Sequence, residues 1–253
     1  MRTHTHHQRG VGLITLLVAL TIGLFLLAGL FQIWLQTRQT FGAQGQLAKL
    51  QDDERMVLTT MANTIQTGGY YPVYLNYSAT PPATPYTSSS FTNTGVFAAA
   101  SGQFLYGTHS TTPPGDTLYV RFIADSTSTN SNNTTLDCQG QTETTGTIVT
   151  NIYQVRSGQL QCSTDNGTTW QPIIGDGIYN MEIVYCVDTL GDQTQMEYLT
   201  ADNMTTSDWT KVVSVNVQLT FNNPLYGQPG QQAQLNPQLL PINRIVAINQ
   251  TQQ

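Results

Sequence analysis

Arg9-Gly10-Val11-Gly12-Leu13-Ile14-Thr15-Leu16-Leu17 opens an apolar run that continues to Leu35. No residue between Arg9 and Arg38 carries a charge, and residues 11–35 form a run of 25. As a helix at about 1.5 Å per residue, this run spans roughly 37 Å, more than the roughly 30 Å hydrocarbon core of a bilayer. The sequence therefore predicts a segment that crosses a membrane.

The apolar run is longer than the core of a secretory signal peptide, which is about 7 to 15 residues. Beyond it, residues 36–66 contain no proline, and their apolar residues keep helical spacing at Leu47, Leu50, Val57, Leu58, Met61 and Ile65. We therefore expect one helix over about residues 11–66, ended by Gly68-Gly69. Its first half suits lipid, and its second half is amphipathic.

After residue 116 the hydrophobic period changes to two, which is typical of β-strands. Predicted strands cover residues 117–123, 147–155, 159–163, 168–173, 178–187, 212–221 and 244–248. Asn166-Gly167 is a strong hairpin signal. Residues 70–115 are rich in Pro, Ser and Thr and are predicted to connect helix and sheet, with short strands such as one near 95–98. The predicted fold class is α+β: a long N-terminal helix packed on an antiparallel sheet.

Charge predicts the topology and argues against one class of partner. Arg2 and Arg9 precede the apolar run, so the positive-inside rule places residues 1–10 in the cytoplasm and the bulk of the chain in the periplasm or outside. The net charge is -6, so no broad electrostatic surface for nucleic acid is expected.

Three cysteines follow the helix, and disulfides persist in the compartment predicted for them. Pairing Cys138 with Cys162 closes a loop of about 25 residues, for which the chain-entropy model gives about 3 kcal/mol of stabilisation. Cys186 is then expected to be a free, partly covered thiol, with an intermolecular bond as the alternative.

Few residues suit catalysis or metal binding. His109 is the one histidine beyond residues 1–10, it lies in a polar loop where a solvent-facing side chain is expected, and the chain has no Gly-x-Ser-x-Gly and no phosphate loop. The acidic groups at Asp165 and at Asp188 with Asp192 lack full EF-hand spacing, which favours turn formation over calcium binding. We expect no enzyme, no cofactor and no metal site.

The N-terminal stretch resembles the type IV pilins. In that family a basic leader ends in Gly, and prepilin peptidase cuts after it and methylates the new amine; the resemblance places the cut between Gly10 and Val11 and the N-methyl group on Val11. Thr15 stands where the family usually has a glutamate, which is thought to neutralise the terminal amine of a neighbouring subunit. Because Thr15 cannot supply that charge, we interpret this subunit as one placed at the end of an assembly, the alternative being a divergent, poorly assembling copy.

The order of several short motifs is similar to the PilW-type minor pilins. They include Gly115-Asp116-Thr117-Leu118, Leu136-Asp137-Cys138-Gln139-Gly140, Leu160-Gln161-Cys162, Tyr179-Asn180-Met181 and Val184-Tyr185-Cys186-Val187-Asp188. No one motif decides the resemblance, which rests on their order. In that family the position of Cys186 is commonly Gly.

The resemblance implies a minor pilin at or near the tip of a type IV pilus, priming its assembly and supporting twitching motility, adhesion or DNA uptake. The implied partners are other minor and major pilins, prepilin peptidase, the inner-membrane assembly platform and, before assembly, membrane lipid. The implied location is the inner membrane and then the cell-surface pilus. The alternatives are a minor pseudopilin of type II secretion and, in another class, a membrane-anchored periplasmic enzyme or binding protein.

Five segments follow from these observations. They are a leader at 1–10, a membrane and assembly helix at 11–35, an amphipathic half-helix at 36–68, a connecting region at 69–115 and a β-rich pilin domain at 116–253.

Overall fold

A computed structural model describes residues 12–72, 91–92, 94–97, 102–126, 135–191, 194–228 and 236–248. The chain divides into two compact units, residues 1–48 and residues 49–253.

The first element is a single helix, α1 (Leu13–Thr67). Its bounds agree with the helix predicted over residues 11–66. The helix ends at Gly68 and Gly69, and Gly69 takes a positive φ of 76° that glycine adopts without steric cost. The N–H of Gly69 then donates to the carbonyl of Arg121 at 2.9 Å, so the chain leaves the helix directly onto the neighbouring sheet.

The strands of the described residues form two antiparallel sheets. The first sheet has the order β1-β2-β3-β4-β5, and the second has the order β7-β6-β8-β9. The bounds are β1 Leu105–Thr108, β2 Thr117–Ile123, β3 Ile148–Arg156, β4 Gln159–Ser163, β5 Gln171–Ile174, β6 Ile178–Asp188, β7 Met196–Leu199, β8 Val212–Phe221 and β9 Ile242–Ala247.

The predicted α+β class is confirmed, with its strands divided between two sheets instead of one. β2 and β8 have the predicted bounds, and the hairpin between β4 and β5 places Asn166 and Gly167 at positive φ, as its turn signal requires. The strand predicted near residues 95–98 is wrong: Gly95–Phe97 is a turn of 3-10 helix. β1 lies inside the stretch predicted as a connecting region.

The core of the second unit lies between one stripe of α1 and both sheets. Val57, Met61 and Ile65 lie four residues apart, so they share one face of the helix and are fully buried. The same buried cluster contains Leu118 of the first sheet and Val217 of the second. The amphipathic half of α1 is therefore held by burial of apolar surface, worth about 25 cal/mol per Å².

A short parallel contact joins the two sheets beside β2. Gly115 bridges to Met181 of β6, and the N–H of Asp116 donates to the carbonyl of Met181 at 2.8 Å. Gly115 has φ 94°, and a Cβ atom there would overlap the Met181 carbonyl, so both the turn and the close approach require glycine.

Candidate assembly surface and processing site

In the first unit, the surface of α1 from Leu13 to Leu35 is apolar and exposed. The side chain of Leu13 is 81% exposed and that of Phe25 is 77% exposed. The mean hydropathy of this part of the helix is 2.7, and by length and composition it can cross a membrane. Such a continuous apolar surface is costly in water, so lipid or other apolar helices must cover it. The segment fits a membrane anchor.

An aromatic pair and an arginine mark the end of the uncharged run. The rings of Phe31 and Trp34 are 5.9 Å apart between centroids, and the guanidinium carbon of Arg38 lies 5.6 Å from the Trp34 ring centroid. Trp and Arg commonly lie where hydrocarbon gives way to water, with the apolar part of the side chain in lipid and the polar end outside. These side chains therefore fit the end of a membrane-anchoring segment near Trp34.

Thr15 lies in the first turn of α1, and its side chain is used locally. Its hydroxyl donates to the carbonyl of Gly12 at 2.6 Å, three residues earlier. The contact adds no charge at this end of the helix, where the positive end of the helix dipole favours an anion. The predicted cleavage bond between Gly10 and Val11 lies outside the described residues.

The cysteines occupy the second unit. Cys138 and Cys162 are joined as a disulfide with Cα atoms 6.2 Å apart, which connects the segment before β3 to β4. Cys186 is a free thiol and is buried, so it is covered more completely than the sequence suggests. It lies in β6 where the register with β8 shifts, between Cys186 and Val187.

The expectation of a solvent-facing His109 is wrong. Its Nδ1 lies 2.9 Å from Oδ1 of Asp116, and its side chain is only 18% exposed. Asp116 is itself buried, and its other oxygen accepts the N–H of Ile183 in β6 at 2.7 Å. The N–H of Ser110 donates to Oδ1 as well. The pair therefore fastens the loop after β1 to the second sheet.

The acidic residues weighed for calcium form turns. Asp165 accepts hydrogen bonds from the hydroxyl and N–H of Thr169 and from the hydroxyl of Ser163, and these donors hold the pKa of its carboxyl well below the usual range for aspartate. Asp188 accepts the N–H of Gly191, while Asp192 lies outside the described residues. Among the residues that the structure describes, no three His, Cys, Asp or Glu side chains are grouped to hold a metal.

Arg121 is a buried cation that the sequence pattern does not predict. Its side chain is 1% exposed and lies in β2, where alternation alone predicts a residue facing water. Nε and Nη1 donate to the carbonyls of Gln103 and Thr92, and the guanidinium carbon is 4.3 Å from the Phe97 ring centroid and 5.2 Å from that of Phe91. The one sequence feature that could indicate this burial is the presence of aromatic residues, Phe91 and Phe97, upstream of the strand arginine. That indication is weak.

Residues 141–240 match the family model described as type IV pilus-assembly protein W. The resemblance drawn from the sequence is confirmed over this stretch. It covers all of β3 to β8, and that family is structural and not enzymatic, in agreement with the absence of a catalytic motif. The apolar N-terminal helix also fits a pilus-related protein.

Among solved structures, the chain is similar to a type IV-like pilin from Thermus thermophilus at 15% identity. The similarity covers 79% of this chain and 97% of that one, with a TM-score of 0.39, at which it carries no weight for function. No curated protein matches the chain in sequence.

Proposed function

We propose that this chain is a minor pilin, a structural subunit stored in the inner membrane and built into a type IV pilus at or near its tip. The observation that carries the proposal is the uncovered, uncharged surface of α1 from Leu13 to Leu35. Before assembly, lipid covers this surface. In the fibre, the apolar helices of other minor and major pilins cover it instead, and the protein acts through contacts rather than through catalysis.

Processing is the first step of this proposal. Prepilin peptidase removes residues 1–10 by cutting between Gly10 and Val11 and methylates the Val11 amine, and the second unit faces the periplasm. The charge distribution supports this orientation, because Arg2 and Arg9 lie on the leader side of the apolar run. Thr15 stands in place of a carboxylate, which suits a subunit at an end of the fibre. There the terminal amines of this subunit and of its neighbour need no carboxylate partner.

Mass spectrometry of the N-terminus of the native protein tests the processing step. We expect the chain to begin at N-methylated Val11 in cells with prepilin peptidase and to keep residues 1–10 in cells without it. Gly10→Val should block the cut, while Gly12→Ala, on the other side of Val11, serves as the matched control and should be processed. A native chain that keeps Met1 to Gly10 would overturn the proposal in favour of a membrane-anchored periplasmic protein.

Deletion tests the class of fibre. A minor pilin predicts loss of surface pili, with twitching, adhesion or DNA uptake impaired, and co-purification of the chain with sheared fibres. A deletion that abolishes protein export and leaves the pili intact would assign the chain to the type II secretion pseudopilus.

A further inference from the structure

Arg38 is the only charged residue of α1 in the first unit. Residues 1–48 contain no Asp and no Glu, and the first carboxylate of the sequence is that of Asp52. Within the part of the chain that the structure describes, no carboxylate lies within ion-pairing distance of Arg38. Because a guanidinium stays charged in proteins, the counter-ion of Arg38 must come from outside the chain.

Aromatic side chains lie on both sides of this arginine along one face of the helix. The face consists of Phe31, Trp34, Arg38 and Phe41, whose spacing of three, four and three residues puts them on the same side of an α-helix. All three aromatic residues are more than half exposed, at 60% for Phe31, 54% for Trp34 and 68% for Phe41. The exposed apolar surface therefore continues past Arg38 as far as Phe41.

The guanidinium of Arg38 points back toward the apolar run. Side chains of an α-helix tilt toward its N-terminus, and the guanidinium carbon lies 5.6 Å from the ring centroid of Trp34, one turn earlier. Trp34 in turn stacks on Phe31, with ring centroids 5.9 Å apart. The positive charge is therefore level with the last apolar turn of the helix. In a helix that crosses a bilayer, this level is where hydrocarbon meets the lipid headgroups.

A lipid phosphate fits these surroundings better than a carboxylate of another protein. The phosphate is the anion that already lies between acyl chains and water, and an arginine binds it through two parallel N–H···O bonds. A protein carboxylate placed between Trp34 and Phe41 would lose its own hydration beside exposed apolar surface, which is costly. The apolar surface from Leu13 to Leu35 also needs acyl chains to cover it before assembly.

We propose that Arg38 binds the phosphate of a membrane phospholipid, with the Trp34 ring stacked on its guanidinium and Phe41 at the outer boundary of the headgroup layer. This inference rests on the proposed storage of the subunit in a membrane and adds the lipid group that holds it there. The phosphate contact fixes the depth of α1 in the bilayer. Release of the subunit into a fibre therefore requires that this contact be broken.

Solid-state NMR of the full chain in phosphatidylglycerol bilayers tests the contact. With isotope-labelled arginine, the lipid phosphorus nuclei should dephase the signal of the Arg38 guanidinium carbon, and Arg38→Gln should remove that component. Arg2 and Arg9, on the leader side, contribute alike in every variant. Arg55→Gln is the matched control, because Arg55 is an exposed arginine in the second half of α1, and it should leave the dephasing unchanged. Dephasing that Arg38→Gln does not lower, or that both variants lower equally, overturns the proposal.

Native mass spectrometry of the full chain in neutral detergent tests the chemical class of the ligand. The chain should retain more phosphatidylglycerol than diacylglycerol, which has the same acyl chains and no phosphate. Arg38→Gln should weaken phosphatidylglycerol binding about fivefold, the factor expected for one basic residue at an anionic membrane surface, and Arg55→Gln should not. Equal retention of both lipids, or displacement of phosphatidylglycerol by inorganic phosphate, overturns the proposal. Circular dichroism of both variants checks that they fold.

Neither measurement requires a cut leader or a fibre. A negative result therefore leaves the minor-pilin proposal standing, whereas a native chain that keeps residues 1–10 overturns that proposal and not this one. The other possible occupant is a carboxylate of another pilus subunit. If Arg38 contacts such a carboxylate, and no phosphate, while the subunits are still in the bilayer, the lipid proposal is overturned.

Discussion

Thr64 of α1 and Tyr153 of β3 join the helix to the first sheet through hydroxyl oxygens that are 2.6 Å apart. Tyr153 is fully buried, and burial raises the pKa of its hydroxyl strongly, so it remains neutral. Thr64→Val leaves that hydroxyl without a partner in the core and should lower the free energy of unfolding by about 2 kcal/mol. Tyr153→Phe removes the buried hydroxyl itself and should cost less, about 1 kcal/mol.

Urea unfolding of the full chain in detergent measures both effects. The double variant should cost less than the sum of the two single variants, because the second change removes a hydroxyl that has already lost its partner. Thr59→Val is a suitable control, since the Thr59 hydroxyl is exposed: it donates to the carbonyl of Arg55 within α1 and accepts from Arg244 at 3.3 Å, and water can replace both partners. Additive losses at Thr64 and Tyr153 would show that the short contact contributes nothing.

Arg121 should hold Thr92 and Gln103 against the first sheet, since it donates to both of their carbonyls. Arg121→Met keeps an apolar stem between Phe91 and Phe97 but leaves the carbonyls of Thr92 and Gln103 without these donors, so we expect a loss of about 3 kcal/mol. Limited proteolysis should then cut within residues 91–104 before the rest of the chain. Arg156→Met is the matched control, because Arg156 also stacks on a ring, that of Trp170 at 4.9 Å, but is exposed. Equal effects at both arginines would contradict the assignment.

Strand periodicity predicted much of the second unit because a strand with one buried face shows that face in its own sequence. In β8, Val215, Val217 and Leu219 are buried and alternate with half-buried polar residues. The apolar spacing of the helix works in the same way. These elements could be predicted because their burial is periodic and local.

Other features depend on residues far away in the chain. β1 is a four-residue strand that contains Gly107, so its sequence shows no clear alternation. The burial of Arg121 depends on Phe91 and Phe97, and the position of His109 depends on Ile183 through Asp116. Alternation also does not say which strands are neighbours, so neither the division into two sheets nor the contact of Gly115 with Met181 that joins them could be predicted.

The disulfide should stabilise the second unit. Replacing both Cys138 and Cys162 by Ala should lower the free energy of unfolding by about 3 kcal/mol, mainly by relaxing the constraint on the unfolded chain. Cys186→Ala, at the buried free thiol, keeps the disulfide and should cost less. When the unmutated chain is alkylated in denaturant without reductant, Cys186 alone should be labelled. Labelling of three thiols would contradict the pairing.

The turn between β4 and β5 should depend on pH through Asp165. Its folded pKa is lowered first by the hydroxyl and N–H of Thr169 and then by Ser163. The carboxylate therefore stabilises the turn fully above the unfolded value of about 3.9 and loses this effect as the pH falls through the lower folded value. A carbon-detected NMR titration should show a midpoint below about 3.9 that Thr169→Val raises. Thr164→Val should leave the midpoint unchanged, and a midpoint insensitive to Thr169→Val would contradict the role of the Thr169 hydroxyl.

Thr15 offers the sharpest test of the proposed position at the end of a fibre. Because its hydroxyl bonds to Gly12 and carries no charge, Thr15→Glu should add a carboxylate able to pair with the terminal amine of a neighbour. We expect the variant to enter sheared fibres at a higher ratio to the major subunit, measured by quantitative mass spectrometry, and to be labelled along the fibre instead of at its end. Thr15→Gln, similar in size but neutral, should keep the native ratio and position. An unchanged ratio and position for Thr15→Glu would rule out an end-specific role for the missing charge.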